Sequence, residues 1–387
     1  MKKIGLVLAY SENHNNYGTS LQGYATIKKI KQFGFDVEVI RYKKYLSFFE
    51  KAMLVYYMFR TKSTQTSIRT VVEKINKKLH KDYACNIQIR TEAVNKYKEQ
   101  FIKPYFVNYD GYLNLSEGAR KYDAVLVGSD QVWTPLSLYG KYYNLLFVPD
   151  YVKKISYASS FGVSVIPKFQ KKETALYLSR INYLSVREDK AKEIVESLGS
   201  NAEVVVDPTL LFSKEDWKSE IVNTPFDCKK KYIFCYFLGT NMDCRSVANK
   251  LARETRLKIV AVKHMDEYVK ADETFGDYEP YDVSPNDFLN YILHADYVLT
   301  DSFHCSVFSI LFEKKFMSFY RFSNNDKNSR NSRIDSLLNL TGLKTHLYDG
   351  SNLNNIYEVV DWGIVHQTID FARSFSIDFL KKALDTI

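Results

Sequence analysis

The chain has 387 residues, with 54 Lys and Arg against 45 Asp and Glu, which gives a formal net charge of +9. This length predicts two domains, each large enough for its own core. The content of 45% hydrophobic and 26% charged residues excludes a disordered chain, and only 15 Gly and 8 Pro exclude collagen-like arrays. The basic balance is compatible with nucleic acid, an anionic membrane surface or an anionic small substrate as partner.

The positive charge is concentrated in one segment. Between Arg41 and Lys103 there are 15 Lys and Arg against 5 Asp and Glu, so the rest of the chain is close to neutral. The sequence contains no base-stacking or groove-reading module, and we therefore do not expect nucleic acid as a partner.

The beginning of the chain and the cysteines favour a cytoplasmic protein. The apolar run Ile4–Tyr10 is short and lacks a following cleavage site, which indicates a buried strand rather than a signal peptide. No apolar run reaches the roughly 18 residues that a membrane-spanning helix needs. An odd number of cysteines without a CxxC pair argues against a disulfide framework or a zinc site, so we expect no metal. The cysteines are Cys85, Cys228, Cys235, Cys244 and Cys305.

In chain order, the first half alternates apolar strands with helical stretches. A strand, a polar loop, the helix Ser20–Phe33 and a second strand form a βαβ start, which predicts a parallel sheet covered by helices. Residues 45–103 interrupt this alternation with helical, basic and aromatic sequence. The predicted strands are Ile4–Ala9, Val37–Ile40, Ala124–Val127, Lys154–Ala158, Tyr183–Val186 and Glu203–Val206.

A second alternation of the same kind follows a connector. Its predicted strands are Tyr232–Leu238, Lys258–Val262, Tyr297–Thr300 and Lys315–Phe319, and its helices are Asp243–Thr255, Pro285–His294, Phe303–Phe312 and Ile364–Leu384. We therefore predict an α/β protein of two Rossmann-type domains that face each other across a ligand cleft. The N-terminal domain would be residues 1–207 with an insertion near 45–103, the connector 208–227, and the C-terminal domain 228–387, with the final helix packing back on the N-terminal domain.

Two polar loops follow predicted strands of the first half. Each precedes a helix start, where backbone N–H groups suit an anion or a sugar, although simple helix capping would use the same residue types. In the second loop, Asp130 can accept hydrogen bonds from hydroxyls or act as a base, and an aromatic side chain can stack on a sugar. The candidate binding residues are Asn16, Tyr17, Gly18 and Thr19 in the first loop and Ser129, Asp130 and Trp133 in the second.

Two later junctions carry candidate chemistry. Arg187 follows a strand, where its guanidinium can bind a carboxylate or phosphate, or can pair with its acidic neighbours. His304 lies in the first turn of a predicted helix, directly after a buried strand, and this setting suits a proton-shuttling histidine. Cys305 is a less favoured nucleophile because it has no basic neighbour. Arg321 and Arg333 follow the last predicted strand, as phosphate ligands or as residues of a solvated loop.

The segment Tyr45–Phe59 is strongly apolar, with Lys43, Lys44, Arg60 and Lys62 at its flanks. It is too short to span a bilayer. One interpretation is a helix packed on the sheet with solvated basic flanks. The other is an interfacial anchor that docks the protein near a lipid-linked substrate.

Seven motifs in one order resemble the polysaccharide pyruvyl transferase family. They cover the chain nearly from end to end, with residues 45–115 as the weakest part. The motifs are NNYGTSLQGYA at 15–25, YDAVLVGSDQVW at 122–133, ISYASSFG at 155–162, LSVREDKAKEIVESLG at 184–199, VVVDPTLL at 204–211, ADYVLTDSFHCSVFSILF at 295–312 and NSRIDSLL at 331–338. The resemblance implies a GT-B-like fold.

The resemblance also implies a reaction, the transfer of a pyruvyl group from phosphoenolpyruvate to a sugar of a bacterial surface glycan such as a capsule or exopolysaccharide. It implies no metal and no cofactor beyond this co-substrate. His304 would be the general acid/base, Arg187 would bind the donor, and Asp130 and the Asn16–Thr19 loop would lie on the acceptor side. Family members often carry Arg two residues before the histidine, where this chain has Ser302. We expect Arg333 to supply that charge, with Arg321 or Arg330 as reserves.

Two alternatives remain open at this level. A GT-B glycosyltransferase using a nucleotide sugar would need an acidic ribose-binding residue late in the C-terminal domain, and Glu313 is a candidate. A non-catalytic glycan-binding or assembly protein would explain the missing arginine at Ser302. For the enzyme, we expect a glycan acceptor, a lipid-linked one included, and a peripheral contact with the inner face of the membrane.

Overall fold

The computed structural model describes residues 1–12, 15–60, 72–73, 75–221, 230–322, 331–350 and 353–387. These residues form two parallel sheets, one in each half of the chain. Parts of the predicted insertion and connector, together with Cys228 and Arg330, lie outside the described residues.

The first sheet has seven parallel strands in the order β3-β2-β1-β4-β5-β6-β7. Because all its strands run the same way, their carboxyl ends meet at one edge, where the loops that follow them converge. The strands are β1 Lys3–Val7, β2 Asp36–Lys43, β3 Phe106–Asp110, β4 Ala124–Val127, β5 Lys153–Ser159, β6 Tyr183–Val186 and β7 Glu203–Val204.

Helices connect these strands. The first begins at Tyr17 because the Asn16 side chain accepts a hydrogen bond from the Thr19 backbone N–H, which caps its N-terminus. The second begins after Ser47, whose side chain and backbone exchange hydrogen bonds with Glu50 in a capping box. The helices are α1 Tyr17–Gln32, α2 Phe48–Arg60, α3 Lys81–Phe101, α4 Tyr112–Ala119, α5 Pro135–Leu138, α6 Lys171–Ser179 and α7 Asp189–Ser197.

The second sheet has four parallel strands in the order β11-β10-β8-β9. Its strands are β8 Tyr232–Tyr236, β9 Lys258–Ala261, β10 Tyr297–Thr300 and β11 Lys315–Ser318. The helices of this half are α8 Lys214–Glu220, α9 Met242–Thr255, α10 Pro285–His294, α11 Phe303–Leu311, α12 Ser332–Leu340 and α13 Trp362–Asp385.

Alternate residues of the strands enter different apolar clusters. In β4, Ala124 and Leu126 face one cluster while Val125 and Val127 face another, so the strand is apolar along its whole length. The first of these clusters continues from the first sheet into the second half, where Val298 of β10 belongs to it. The two halves therefore share one continuous core.

Polar and aromatic contacts also join the halves. Tyr17 stacks on Phe288 with 4.5 Å between ring centroids, and its hydroxyl donates to the Val283 carbonyl at 3.1 Å. The buried Arg90 of α3 donates to backbone carbonyls after β9, that of Tyr281 among them. In α13, Ser376 accepts a hydrogen bond from the backbone N–H of Val206 at 3.0 Å. The final helix thus contacts the segment that leaves the first sheet.

Three elements differ from the sequence expectation. The edge strand β3 and the helix α4 lie where no element was predicted, and α12 begins at the end of a stretch interpreted as a polar loop. In addition, β7 is only two residues long: the Val205 N–H still bonds to the Val186 carbonyl of β6 at 2.9 Å, but the Val206 N–H bonds to Ser376 of α13.

Candidate active site

Five chain segments meet at the carboxyl edge of the first sheet, on the side that faces the second half. They are the start of α1, the loop after β4, the ends of β6 and β7, and the start of α11. Each brings at least one polar side chain, and the buried carboxylate of Asp207 lies where three of them meet.

Asp207 is the centre of this group. Its Oδ2 accepts hydrogen bonds from Arg187 at 2.8 Å and from Ser129 Oγ at 3.3 Å, and it lies 3.6 Å from Nε2 of His304. Its Oδ1 accepts from the backbone and hydroxyl of Thr209, at 3.0 and 2.7 Å. Burial opposes ionisation, but the charges of His304 and Arg187 outweigh it and hold the Asp207 pKa well below its ordinary value.

Arg187 is buried among carboxylates. Besides Asp207, its guanidinium donates to Asp130 Oδ1 at 3.3 Å, and its Nε lies 3.7 Å from Glu188 Oε2. It also lies over the Phe303 ring, 4.8 Å from the centroid. Burial would lower the pKa of Arg187, but the three carboxylates raise it, so the guanidinium stays charged in this setting. Only part of its five N–H donor set is used by these partners.

His304 lies in the first turn of α11, whose N-cap is Ser302. The imidazole lies against the backbone of α1: a Cβ built on Gly18 would be 2.0 Å from His304 Nδ1. Only glycine at this position lets the two helix starts approach so closely. Nε2 of His304 is buried and faces the Asp207 carboxylate at 3.6 Å, and it makes no hydrogen bond among the described residues.

Asp130 faces the first loop. Its Oδ2 accepts a hydrogen bond from the Thr19 hydroxyl at 3.3 Å, and its backbone has a positive φ of 73°. Burial works against ionisation, but Arg187, His304 and Arg333 lower the Asp130 pKa below its ordinary value. The side chain is therefore a carboxylate at neutral pH, and it can accept a proton or hold a hydroxyl.

Glu188 has the opposite electrostatics. It is buried, accepts a hydrogen bond from Ser160 Oγ at 2.6 Å, and its pKa is raised chiefly by burial. From the sequence it was only one of the acidic neighbours of Arg187, and the structure buries it beside that guanidinium.

Arg333 and Arg321 approach from the C-terminal half. The Arg333 guanidinium lies 5.9 Å from the Phe303 ring centroid, on the ring that Arg187 also covers, and it lowers the pKa of Asp130. Arg321 donates to the Asp301 carbonyl at 3.3 Å, at the end of β10. Asp301 itself holds the backbone after β8, accepting from the N–H groups of Leu238 and Gly239. Both arginines thus contact residues just before His304, Arg333 at Phe303 and Arg321 at Asp301.

A groove of about 440 Å³ opens beside this cluster. At its inner end are Arg187, Asp207, Phe303 and Arg333, and its walls come from the end of β7, from α12 and from α13. This volume lies within the usual range of small-ligand sites. Arg187, Arg333 and Asp207 thus line the groove, whereas His304 and Asp130 belong to the neighbouring cluster and do not line it.

Several candidate residues have structural positions that differ from the expectation. Tyr17 is a core residue between the halves, and Trp133 is fully buried against Phe161 with its indole N–H on the Tyr143 carbonyl. Neither ring therefore offers a face to a sugar. Asn16 and Ser302 cap α1 and α11 through their side-chain oxygens.

Cys305 and Glu313 lie in positions that do not suit the roles considered for them from the sequence. Burial raises the pKa of Cys305 to about 12, which makes it a poor nucleophile. Glu313 pairs with Lys214 at 2.7 Å and with His366 at 2.9 Å, where α8 and α13 approach the end of α11. Its partners belong to structural helices rather than to the Asp207 cluster.

Asp207 was not among the candidate functional residues predicted from the sequence. It occurred there only within the motif VVVDPTLL at 204–211. A buried strand that ends in a carboxylate, at the same sheet edge as Asp130 and Arg187, was the signal that could have identified it.

Comparisons with known proteins were made on sequence and structure. Residues 16–324 match the family model described as polysaccharide pyruvyl transferase, whereas no curated protein matches. The fold is similar to the UDP co-structure of MnaA from S. aureus, with a TM-score of 0.52 and 14% identity over 100% of this chain and 98% of that chain. It is also similar to a putative UDP-N-acetylglucosamine 2-epimerase from Listeria monocytogenes, with a TM-score of 0.50 and 12% identity over 96% and 90%.

At such low identity the structural likeness concerns the fold alone, and it confirms the expected α/β fold with two Rossmann-like domains in a GT-B-like arrangement. The family match covers most of the chain and includes every segment that meets at Asp207. The helix α12, which carries Arg333, lies beyond the matched residues. On this basis the chain belongs to the polysaccharide pyruvyl transferase family and is a transferase.

Proposed function

We propose that this protein transfers a pyruvyl group from phosphoenolpyruvate to a sugar of a bacterial surface glycan precursor, as a ketal across two hydroxyls. The observation that supports this most is the buried Asp207 carboxylate, which touches both Arg187 and His304. The charge of Asp207 thereby holds His304, the proposed proton donor, near Arg187, a cation that can bind phosphoenolpyruvate.

The chemistry begins at the enol ether of the donor. His304 delivers a proton to C3 of phosphoenolpyruvate, and C2 becomes oxocarbenium-like. A sugar hydroxyl attacks C2 and loses its proton to Asp130, which is a carboxylate beside Thr19. The C2–O bond to phosphate then breaks, phosphate leaves, and a second hydroxyl closes the ketal and gives its proton to His304, which regains the proton that it donated to C3. All atoms of the ketal and of the released phosphate thus come from the two substrates.

In this proposal, two arginines bind different groups of phosphoenolpyruvate. Arg187 has N–H groups beyond those on Asp207 and Asp130, and these can bind the donor carboxylate. Its charge is already balanced by neighbouring carboxylates, so the phosphate needs a second cation. Arg333 takes this role in the proposal because it lies on the groove side of Phe303, and Arg321 is the reserve.

The acceptor lies on the α1 side in this proposal. Thr19 and Asp130 present hydroxyl and carboxylate oxygens there, which suit the hydroxyls of a sugar. We place the reaction in the cytoplasm, where a lipid-linked glycan would be reached at the inner face of the membrane. Among the described residues, no helix is both long and apolar enough to cross a bilayer.

The test is phosphate release from phosphoenolpyruvate in the presence of acceptor glycan. His304→Ala should lower the rate by about 10²–10⁴-fold, since general acid catalysis is worth that much. His294→Gln, a change at the end of α10 away from the cluster, is the matched control and should leave the rate unchanged. Unchanged release in His304→Ala would remove this residue from the mechanism.

A thermal-shift screen distinguishes the donor. Phosphoenolpyruvate should stabilise the protein, while UDP and GDP sugars should not. Stabilisation by a nucleotide alone would contradict the proposal and favour a glycosyltransferase, and stabilisation by glycan without any turnover would favour a binding protein.

A further inference from the structure

The helix α2 has two unlike faces. Its inner face packs on the first domain: Tyr57 meets the rings of Tyr139 and Phe169, with centroid distances of 4.8 and 5.3 Å, and Arg60 lies over Phe169. The Tyr139 hydroxyl also donates to the Glu50 carbonyl at 3.5 Å. These contacts fix the orientation of α2, and they therefore determine which residues form its outer face.

The outer face of α2 is aromatic and uncovered. Phe48 is 90% exposed, Phe49 73%, and Val55 and Tyr56 51% each. These positions recur at the spacing of one helical face, so they form a continuous apolar stripe. Large apolar side chains grouped in this way mark an interaction surface, unlike single exposed ones.

The charge around this stripe is positive. Lys43, Lys51 and Arg60 are exposed beside it. The single carboxylate within residues 43–60, that of Glu50, is half-buried and caps the helix through Ser47. Two exposed carboxylates lie near the helix, Asp110 opposite Lys43 on β3 and Glu173 near Tyr57 on the inner face. The outer apolar stripe, with cations at its margins, complements an anionic bilayer, where aromatic rings enter the headgroup region and cations meet lipid phosphates.

The position of α2 relates this surface to the active site. It follows β2, while the α1 loop follows β1 and the Asp130 loop follows β4, and these three strands are adjacent and parallel. Their carboxyl ends therefore lie at the same edge of the sheet. A bilayer that covers the outer face of α2 lies beside the edge where the acceptor cleft opens.

We propose that the Phe48–Tyr56 face of α2 docks this protein on an anionic membrane surface and presents the cleft to a membrane-attached acceptor. The docking itself is independent of turnover, and only the nature of the acceptor rests on the proposed function. The surface lies in the interface plane, so it anchors the protein peripherally.

The experiment is co-sedimentation of the full chain with vesicles of phosphatidylcholine containing about 30% phosphatidylglycerol, with phosphatidylcholine alone for comparison. Wild-type protein should bind the anionic vesicles at low salt and lose binding as salt rises. Phe48→Ser with Phe49→Ser should weaken binding at least about tenfold. Lys43→Gln with Lys51→Gln should weaken it about 25-fold, at about fivefold per cation.

The matched control is Tyr151→Ser with Val359→Ser, two exposed apolar side chains on other parts of the surface. This variant should bind vesicles like the wild type, and circular dichroism should show that all variants are folded. Wild-type protein that ignores anionic vesicles, or binds neutral ones equally well, would overturn the proposal. A dimer that dissociates in the Phe48→Ser, Phe49→Ser variant would also overturn it, because a second copy would then cover the face.

This readout needs neither phosphoenolpyruvate nor glycan, so its failure is distinct from failure of the proposed reaction. Phosphate release with a water-soluble acceptor should be the same in wild type and in the Phe48→Ser, Phe49→Ser variant. Binding without turnover would keep the docking surface and reject the reaction, and turnover without binding would do the reverse.

Discussion

At the scale of single residues, Asp207 connects stability to chemistry. Asp207→Asn keeps the shape of the side chain but removes the charge that Arg187 and His304 face. We expect the free energy of unfolding to fall by about 3 kcal/mol, because a buried cation loses its partner. The rate of phosphate release should fall about 100-fold with it, since proton transfer depends on the orientation of His304. Asp370→Asn, an exposed carboxylate on α13, should change neither quantity.

The pH dependence of this effect has a definite sign. The pKa of Asp207 is lower in the folded state than the value of about 3.9 in an unfolded chain. Ionised Asp207 therefore stabilises the fold above that pH, and the contribution is lost as the pH falls below it. In urea unfolding, the difference between wild type and Asp207→Asn should be constant from about pH 5 to 8 and shrink below about pH 4. A difference that grows in acid would contradict this assignment.

Gly18 is a second test at this scale, because it has a matched partner in the same helix. Gly18→Ala places a methyl group 2.0 Å from the imidazole Nδ1 of His304, so the ring must move. We expect a loss of about 1–3 kcal/mol in stability and at least a tenfold loss of rate. Gly23→Ala meets only Leu8 and Ile102, at 3.7 and 3.8 Å, and should stabilise α1 by up to about 1 kcal/mol. Equal effects of the two changes in kinetics and urea unfolding would reject the contact with His304.

At the scale of elements, we propose that Arg333 on α12 supplies the positive charge that is missing at Ser302. This can be tested by moving an arginine from α12 to the start of α11. Arg333→Ala on α12 should raise the KM for phosphoenolpyruvate about 30-fold, since it removes a charged hydrogen-bond donor from the groove. Ser302→Arg in that background should restore part of the affinity, by returning a guanidinium to the start of α11. Ser302→Ala with Arg333→Ala controls for the lost helix cap and should restore nothing. If Arg333→Ala leaves KM unchanged, Arg321 is the next cation to test.

The elements also show what the sequence could predict. Buried parallel strands are continuous apolar runs, so the strands from Ala124–Val127 to Lys315–Ser318 were recognisable from composition and punctuation. The edge strand Phe106–Asp110 is half-exposed and mixes apolar with polar residues, so no apolar run marked it. The directions of side chains were harder to predict. The position of a residue in a loop does not show that Trp133 turns into the core or that Tyr17 packs between the halves. The role of Asp207 depends on contacts among residues that are far apart in sequence.

At the scale of the whole molecule, the continuous apolar cluster has a consequence for how the protein loses its structure. Two domains with separate cores would melt in two steps, but here residues such as Leu21 of α1 and Phe308 of α11 belong to one cluster, and α13 contacts both halves. We expect scanning calorimetry to show a single transition whose van't Hoff and calorimetric enthalpies agree. Two resolved transitions would contradict this. A shared core also limits wide opening of the cleft, so substrates should enter along the groove and the sheet edge, and turnover should depend little on solvent viscosity.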